Sequence, residues 1–180
     1  ARAGERLAPL VGTRPVAIVA DEAVTSHLEV LEASLDAAAI GHAALTVRAG
    51  EASKSWASLA RVCDWLLSRG VERSDHVVAL GGGHGLSASL SALRLMSDRL
   101  TAVVTVADDG GSSGRLREEL GVLPPGDLRM ALAALCDDSE WGRTWRDLLQ
   151  HRFTSKGDLD QHAVGNLLIV ALWELLDDPV

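Results

Sequence analysis

No apolar run in the sequence approaches the roughly 20 residues that a bilayer-spanning helix needs, and the opening residues Ala1-Arg2-Ala3-Gly4-Glu5-Arg6 contain no signal-peptide apolar core. The expected location is the cytoplasm, with no membrane partner. Basic residues are in deficit: 17 Lys and Arg against 25 Asp and Glu leave a net charge of −8, which removes the attraction that non-specific binding to a phosphate backbone requires. No nucleic-acid partner is expected. The two cysteines, Cys63 and Cys136, sit in apolar helical contexts and form no Cys-x-x-Cys pair, so inert core thiols are expected in place of a metal or redox site. HExxH is missing, and the histidines at 27, 42, 76, 84, 151 and 162 are scattered, which argues against tetrahedral zinc. No G-x-S-x-G elbow is present, so a nucleophilic-serine hydrolase is set aside.

What is present is the material of one globular domain: 180 residues, 47% of them hydrophobic. Val16 to Asp21 is an apolar, β-branched run closed by an acid, and Ala23 to Ala39 repeats Val24, Leu28, Leu31 and Leu35 at helical spacing. The alternation returns with Ala44 to Val47 and Ser53 to Ser68, then with His76 to Leu80 and Leu86 to Asp98, and a fourth apolar run spans Leu100 to Val106. Strands alternating with helices imply right-handed parallel βαβ units, hence an α/β doubly wound parallel sheet. Beyond Val106 the pattern predicts helices at Leu128 to Cys136, Trp141 to Phe153 and Ala163 to Leu176. The five tryptophans fall at apolar helical positions, where core packing is expected. No linker or fixed repeat divides the chain, so residues 1–180 read as one composite domain.

Ligands of open α/β sheets collect where strand ends meet helix N-termini, whose unpaired N–H groups favour anions. Gly81-Gly82-Gly83-His84-Gly85 lies at such a place after the third strand. It suits a phosphate cradle, against the plainer reading of a tight turn, and the missing Lys excludes a Walker-type loop. Asp108-Asp109-Gly110-Gly111-Ser112-Ser113-Gly114-Arg115-Leu116-Arg117 follows the fourth strand as a second binding loop. Here Ser112 or Ser113 can cap the next helix, Asp108 and Asp109 can receive ribose hydroxyls or a hydrated Mg²⁺, and Arg115 or Arg117 can pair with phosphate. The plainer reading makes the serines ordinary caps and the arginines a solvated face. Asp127, after Gly126, is either the N-cap of its helix or a carboxylate at the substrate end of the cleft, with Arg129 beside it. His162 and Asn166, flanking Gly165, are four apart and so share a helical face, which favours a joint role.

From Val77 onward the sequence closely resembles the gluconeogenesis-factor family, also called YvcK-like, which is related to the CofD-like 2-phospho-lactate transferases. The resemblance rests on Val78-Ala79-Leu80-Gly81-Gly82-Gly83-His84-Gly85-Leu86, Val104 to Arg117, Pro124-Pro125-Gly126-Asp127-Leu128-Arg129 and His162-Ala163-Val164-Gly165-Asn166-Leu167-Leu168, in the family's order. It implies a Rossmann-like sheet that binds a nucleotide or nucleotide-sugar such as UDP-N-acetylglucosamine, with a role in carbon-source use and cell shape. The transferase relatives imply a deazaflavin substrate and Mg²⁺.

Residues from about Arg14 to Gly83 resemble instead the N-terminal, NAD-binding domain of 3-dehydroquinate synthase, through Val16 to Glu22, Ala49 to Ser55 and Glu72 to Gly83. That resemblance implies NAD contacts at Asp21, Glu51 and Lys54. The synthase pattern continues with Gly-Asp where Leu86-Ser87 stands here, and its metal and substrate domain is missing, so dehydroquinate synthesis is not expected. The chain reads as a chimera of residues 1–76 and 77–180, joined at a strand both families share. Three functions follow as expectations: a ligand-binding domain without turnover, a CofD-like transferase using Asp127 or Asp109, and a scaffold with no retained ligand. A homodimer would form through the helical C-terminal part.

Overall fold

The computed structural model describes residues 2–48, 55–108 and 110–177. Its elements run α1 (Ala3–Leu7), β1 (Val16–Asp21), a 3-10 turn (Glu22–Val24), α2 (Thr25–Ala37), β2 (His42–Val47), α3 (Trp56–Ser68), β3 (His76–Gly81), α4 (Gly83–Leu93), β4 (Arg99–Val104), α5 (Gly111–Leu120), α6 (Gly126–Leu135), α7 (Glu140–Gln150) and α8 (Val164–Leu176). The strands form one parallel sheet in the order β2-β1-β3-β4. Ile18 sits opposite both Ala44 and Val78, and Ala20 opposite Thr46 and Leu80.

Strand β1 is central, which accounts for its unbroken apolar run: Val16 to Ala20 are all buried. Successive strand residues point to opposite faces. Val16, Ile18, Ala20, Val78 and Leu80 accordingly pack on one face against Leu28, Leu31 and Leu35 of α2 and Leu7 of α1. Val19, from the other face, lines a cavity with residues of α3 and α4. Each buried Leu or Ile there contributes about 1.5–3 kcal/mol relative to exposure.

Packing divides the chain into two compact units, whereas the sequence reads as one composite domain with a joint at residues 76 and 77. The first unit is Ala1–Gly81 with Ala88–Val103, and holds the sheet; the second is Gly82–Ser87 with Val104–Val180. The division therefore falls at the glycine loop. In the second unit α6, α7 and α8 pack on one another.

Several sequence expectations need correction. Ser112 and Ser113 are not caps: α5 begins at Gly111 with Gly110 as N-cap and no side-chain cap bond, so both serines lie inside its first turn. Asp127 is not a cap of its own helix either, because Pro125 holds that position. Helix α4 starts at Gly83 and not at Leu86, drawing the glycine loop into its first turn. Trp56, Trp141 and Trp145 are exposed and Trp65 and Trp173 half-buried, so none is a core residue. Periodicity places them on a helix face without saying that anything covers it. Cys63 and Cys136 are half-buried and not joined in a disulfide. Among the described residues no helix is long and apolar enough to cross a membrane.

Candidate functional site

The site lies in the second unit and is organised by the first turn of α6. Asp127 is buried, and its Oδ1 accepts the Gly83 N–H at 2.8 Å while Oδ2 accepts the Thr105 hydroxyl at 3.0 Å. A carboxylate is thus held at the positive end of α4, a placement favourable by about 0.3–1 kcal/mol and by more when partly buried. The preceding residue, Gly126, meets the other loop: a Cβ there would overlap Asp108 Oδ2 and stand 2.5 Å from Ser113 Oγ. Two consecutive residues therefore touch the two glycine loops and hold the starts of α4 and α5 close together.

Both helices open on a glycine with positive φ, Gly83 at +53° and Gly111 at +46°, conformations that disfavour any residue with a Cβ. The Gly83 N–H is given to Asp127, and the Gly110 N–H to Asp108 Oδ1 at 3.2 Å. Among the described residues no acceptor meets the N–H groups of His84 and Gly85 at the start of α4, or of Gly111 and Ser112 at the start of α5. Among the described residues these four donors are left open.

Behind them lies a closed polar network. Arg129, buried on α6, donates from Nε to Asn166 Oδ1 at 3.0 Å and from Nη1 to Gln150 Oε1. A guanidinium can only donate, so Asn166 must turn its amide nitrogen toward α5, where Nδ2 reaches Ser112 Oγ at 3.1 Å and Ser113 Oγ at 3.2 Å. Ser113 passes its own proton to Asp108 Oδ2 at 2.9 Å. Ser112 Oγ also accepts the Ala163 N–H at 3.2 Å, so its one hydrogen is left for His162 Nδ1, 3.1 Å away. His162 is therefore neutral, protonated on Nε2. It precedes α8 and does not share a helical face with Asn166; Ser112 joins the two instead. Gly165 lies against Leu149 O and the Arg129 stem.

Burial pushes the Arg129 pKa below its ordinary value, Arg152 acting the same way and Asp108 opposing. Burial likewise lowers the His162 pKa from 6.5, aided by Arg115 and Arg152 and opposed by Glu119. Because the unfolded imidazole binds its proton more readily, this contribution to stability is present above pH 6.5 and is lost as pH falls through the folded value. The melting temperature is expected to fall more steeply between pH 7.5 and 5.5 in the wild type than in His162→Gln. Equal slopes in a fluorescence-monitored melt would contradict the assigned neutral form.

The remaining candidates divide. Arg115 donates to the carbonyls of Asp158 and Asp160 at 3.0 and 2.6 Å, pinning that turn, and Arg117 and His84 are exposed. Arg115, Glu118, Glu119, Asp158 and His162 line an open hollow of about 380 Å³. Among the described residues no group of three or more His, Cys, Asp or Glu is arranged to hold a metal ion. Asp21, in the first unit, caps the 3-10 turn by accepting the Ala23 N–H at 2.9 Å. That unit has a largely apolar cavity of about 290 Å³ between α3 and α4, and Asp21 is not in its lining. Glu51, Lys54 and Asp109 lie outside the described residues. Thr105 and Gln150 were not among the sequence candidates; Thr105 stood inside a quoted motif, whereas nothing local marks Gln150.

The family model described as 2-phospho-L-lactate transferase CofD matches residues 77–180, a range that contains every residue of this network. The chain belongs to the CofD family. The model described as the 3-dehydroquinate synthase N-terminal region matches residues 44–91, so the two matches overlap at 77–91, across β3 and the glycine loop. A Mycobacterium tuberculosis relative carrying the gluconeogenesis-factor name is 64% identical over 107 residues, covering 59% of this chain and 31% of its own. The gluconeogenesis factor of Bacillus subtilis is 49% identical over 102 residues, covering 57% and 31%. The chain thus spans about a third of the length of the curated relatives it matches. A crystal structure of the protein BH3568 from Bacillus halodurans superposes with a TM-score of 0.52 at 45% identity, over 58% of this chain and 32% of that one. A 2-deoxy-scyllo-inosose synthase structure, 17% identical with a TM-score of 0.50 over 58% and 31%, shares the fold alone.

Proposed function

We propose that residues 82–87 and 104–177 bind the diphosphate of a nucleotide or nucleotide-sugar of the UDP-N-acetylglucosamine kind, in a regulatory role tied to carbon metabolism and cell shape. The observation that carries this reading is the pair of glycine-started helices, held together by Gly126 and Asp127, whose four N–H groups meet no acceptor among the described residues. Two helix N-termini side by side favour an anion with two charged centres, such as a diphosphate. The names of the relatives supply the link to gluconeogenesis. A magnesium ion arriving with the diphosphate would be held by Asp108, whose carboxylate keeps lone pairs beyond its two bonds, and would offset phosphate charge.

Calorimetric titration tests the proposal. UDP-N-acetylglucosamine is expected to bind saturably and uridine not to bind, and Gly111→Ala, which adds a Cβ beside two of the donors and strains the turn by about 1–2 kcal/mol, should weaken binding at least tenfold. Equal affinity for uridine, or indifference to Gly111→Ala, would remove the diphosphate from the account. The transferase reading keeps its place because the matched family model is named for that activity. Product formed from a phospho-lactyl donor with Mg²⁺ would favour it over binding alone.

A further inference from the structure

The cavity of the first unit, about 290 Å³ and largely apolar, plays no part in the site described above. Its inner end is made by Val19, Val47, Val62 and Leu93, all buried. Helix α4 lines it with Ala88, Ser89 and Ala92, side chains too short to fill the space. Protein interiors are close-packed and leave few voids larger than a water molecule. An apolar space of about 150 Å³ already stays dry and admits benzene. This one is roughly twice as large, at the lower end of the range of small-molecule pockets, about 300–1,000 Å³.

We propose that this cavity is a second ligand site, which takes a neutral, apolar molecule of one or two fused rings. The lining selects that chemistry. Among the described residues none that lines it is charged, so a phosphate, carboxylate or ammonium group would lose its water there and gain no ion pair. Its polar side chains, apart from Trp56, are Ser55, Ser58 and Ser89. The Ser55 and Ser58 hydroxyls lie 3.1 Å apart at the start of α3, where they suit a single hydroxyl, carbonyl or ring N–H of the guest. Trp56 lines the cavity while 86% exposed. A large ring left in water beside an apolar space gains burial when a flat guest packs against it. Ala49-Gly50-Glu51-Ala52-Ser53-Lys54, the run between the lining residues Val47 and Ser55, contains no apolar side chain larger than a methyl group, so it offers no filler of its own.

Methyl signals of the ¹³C-labelled full chain, followed as indole is added, test this; indole is neutral and bicyclic and carries one N–H. The methyls of Val19, Val47, Val62 and Leu93 are expected to shift together and to saturate. Ala92→Phe and the milder Ser89→Leu, which each fill the space from α4, should weaken indole binding at least tenfold with an unchanged circular dichroism spectrum. Tryptamine, the same ring carrying an ammonium group, should bind at least tenfold more weakly than indole. Shifts that stay linear up to the solubility limit of indole, saturable shifts confined to other methyls, or an affinity that neither filling variant lowers would overturn the site. Tryptamine bound as tightly as indole would overturn its neutral chemistry.

Discussion

Asn166→Leu is expected to lower the stability of the second unit by about 3 kcal/mol, the scale for leaving a buried charged donor without its acceptor. Asn166 is fully buried and answers three groups at once: it accepts from Arg129 and donates to Ser112 and Ser113. Leucine has the volume but none of the bonds, so the Arg129 Nε–H would face an apolar side chain. Arg129 keeps Gln150, which prevents complete loss. Adding Arg129→Met should recover much of the deficit, because removing both members of a buried polar pair is far less harmful than removing one. Urea midpoints followed by tryptophan fluorescence check this, through Trp141, Trp145 and Trp173 of the same unit. Additive losses in the double variant would mean that the two side chains do not act on each other.

The second large effect is at Asp127, where charge and hydrogen bonding can be separated. Asp127→Ala removes the acceptor of both Gly83 N–H and Thr105 hydroxyl and empties the space against Gly82. A loss of about 3 kcal/mol is expected, from two bonds to a buried charged group. Asp127→Asn can keep both bonds, its oxygen toward Gly83 and its amide toward a rotated Thr105 hydroxyl. It forfeits only the charge at the α4 terminus, about 1 kcal/mol. The same variant separates the two functional readings. If Asp127 only sets the glycine loop, Asp127→Asn should bind a diphosphate at least as well as the wild type, since a negative charge beside it is gone. If Asp127 takes part in transfer, product formation should collapse while the melting temperature falls by only about 2–4 °C.

The sheet was largely legible because β1 and β3 are buried and therefore apolar without interruption; β1 was read from Val16 to Asp21, as found. The helices of the C-terminal part were legible from their periodicity to within a few residues. Helix α5 was expected after its serines, but its start was misread, because its first turn, Gly111-Ser112-Ser113-Gly114, has the composition of a loop. It is helical because its serines are tied to Asn166, His162 and Asp108, contacts made by residues up to 54 positions apart. The motifs at Gly81 to Gly85, Asp108 to Arg117, Gly126 to Arg129 and His162 to Asn166 were each visible, and the structure joins them through Asp127, Asn166 and Ser112. What could not be read is the division of labour. Nothing local to Asp127 reveals that its partner is Gly83, 44 positions earlier. Nothing local to Arg115 reveals that it pins the turn at Asp158 and Asp160.

Backbone amide signals of the ¹⁵N-labelled chain, recorded during titration with UDP-N-acetylglucosamine and separately with uridine, test the central claim most directly. The account predicts that the amides of His84, Gly85, Gly111 and Ser112 shift together and saturably with the diphosphate ligand and stay in place with the nucleoside. Shifts confined to other residues, or four amides that never move, would contradict it.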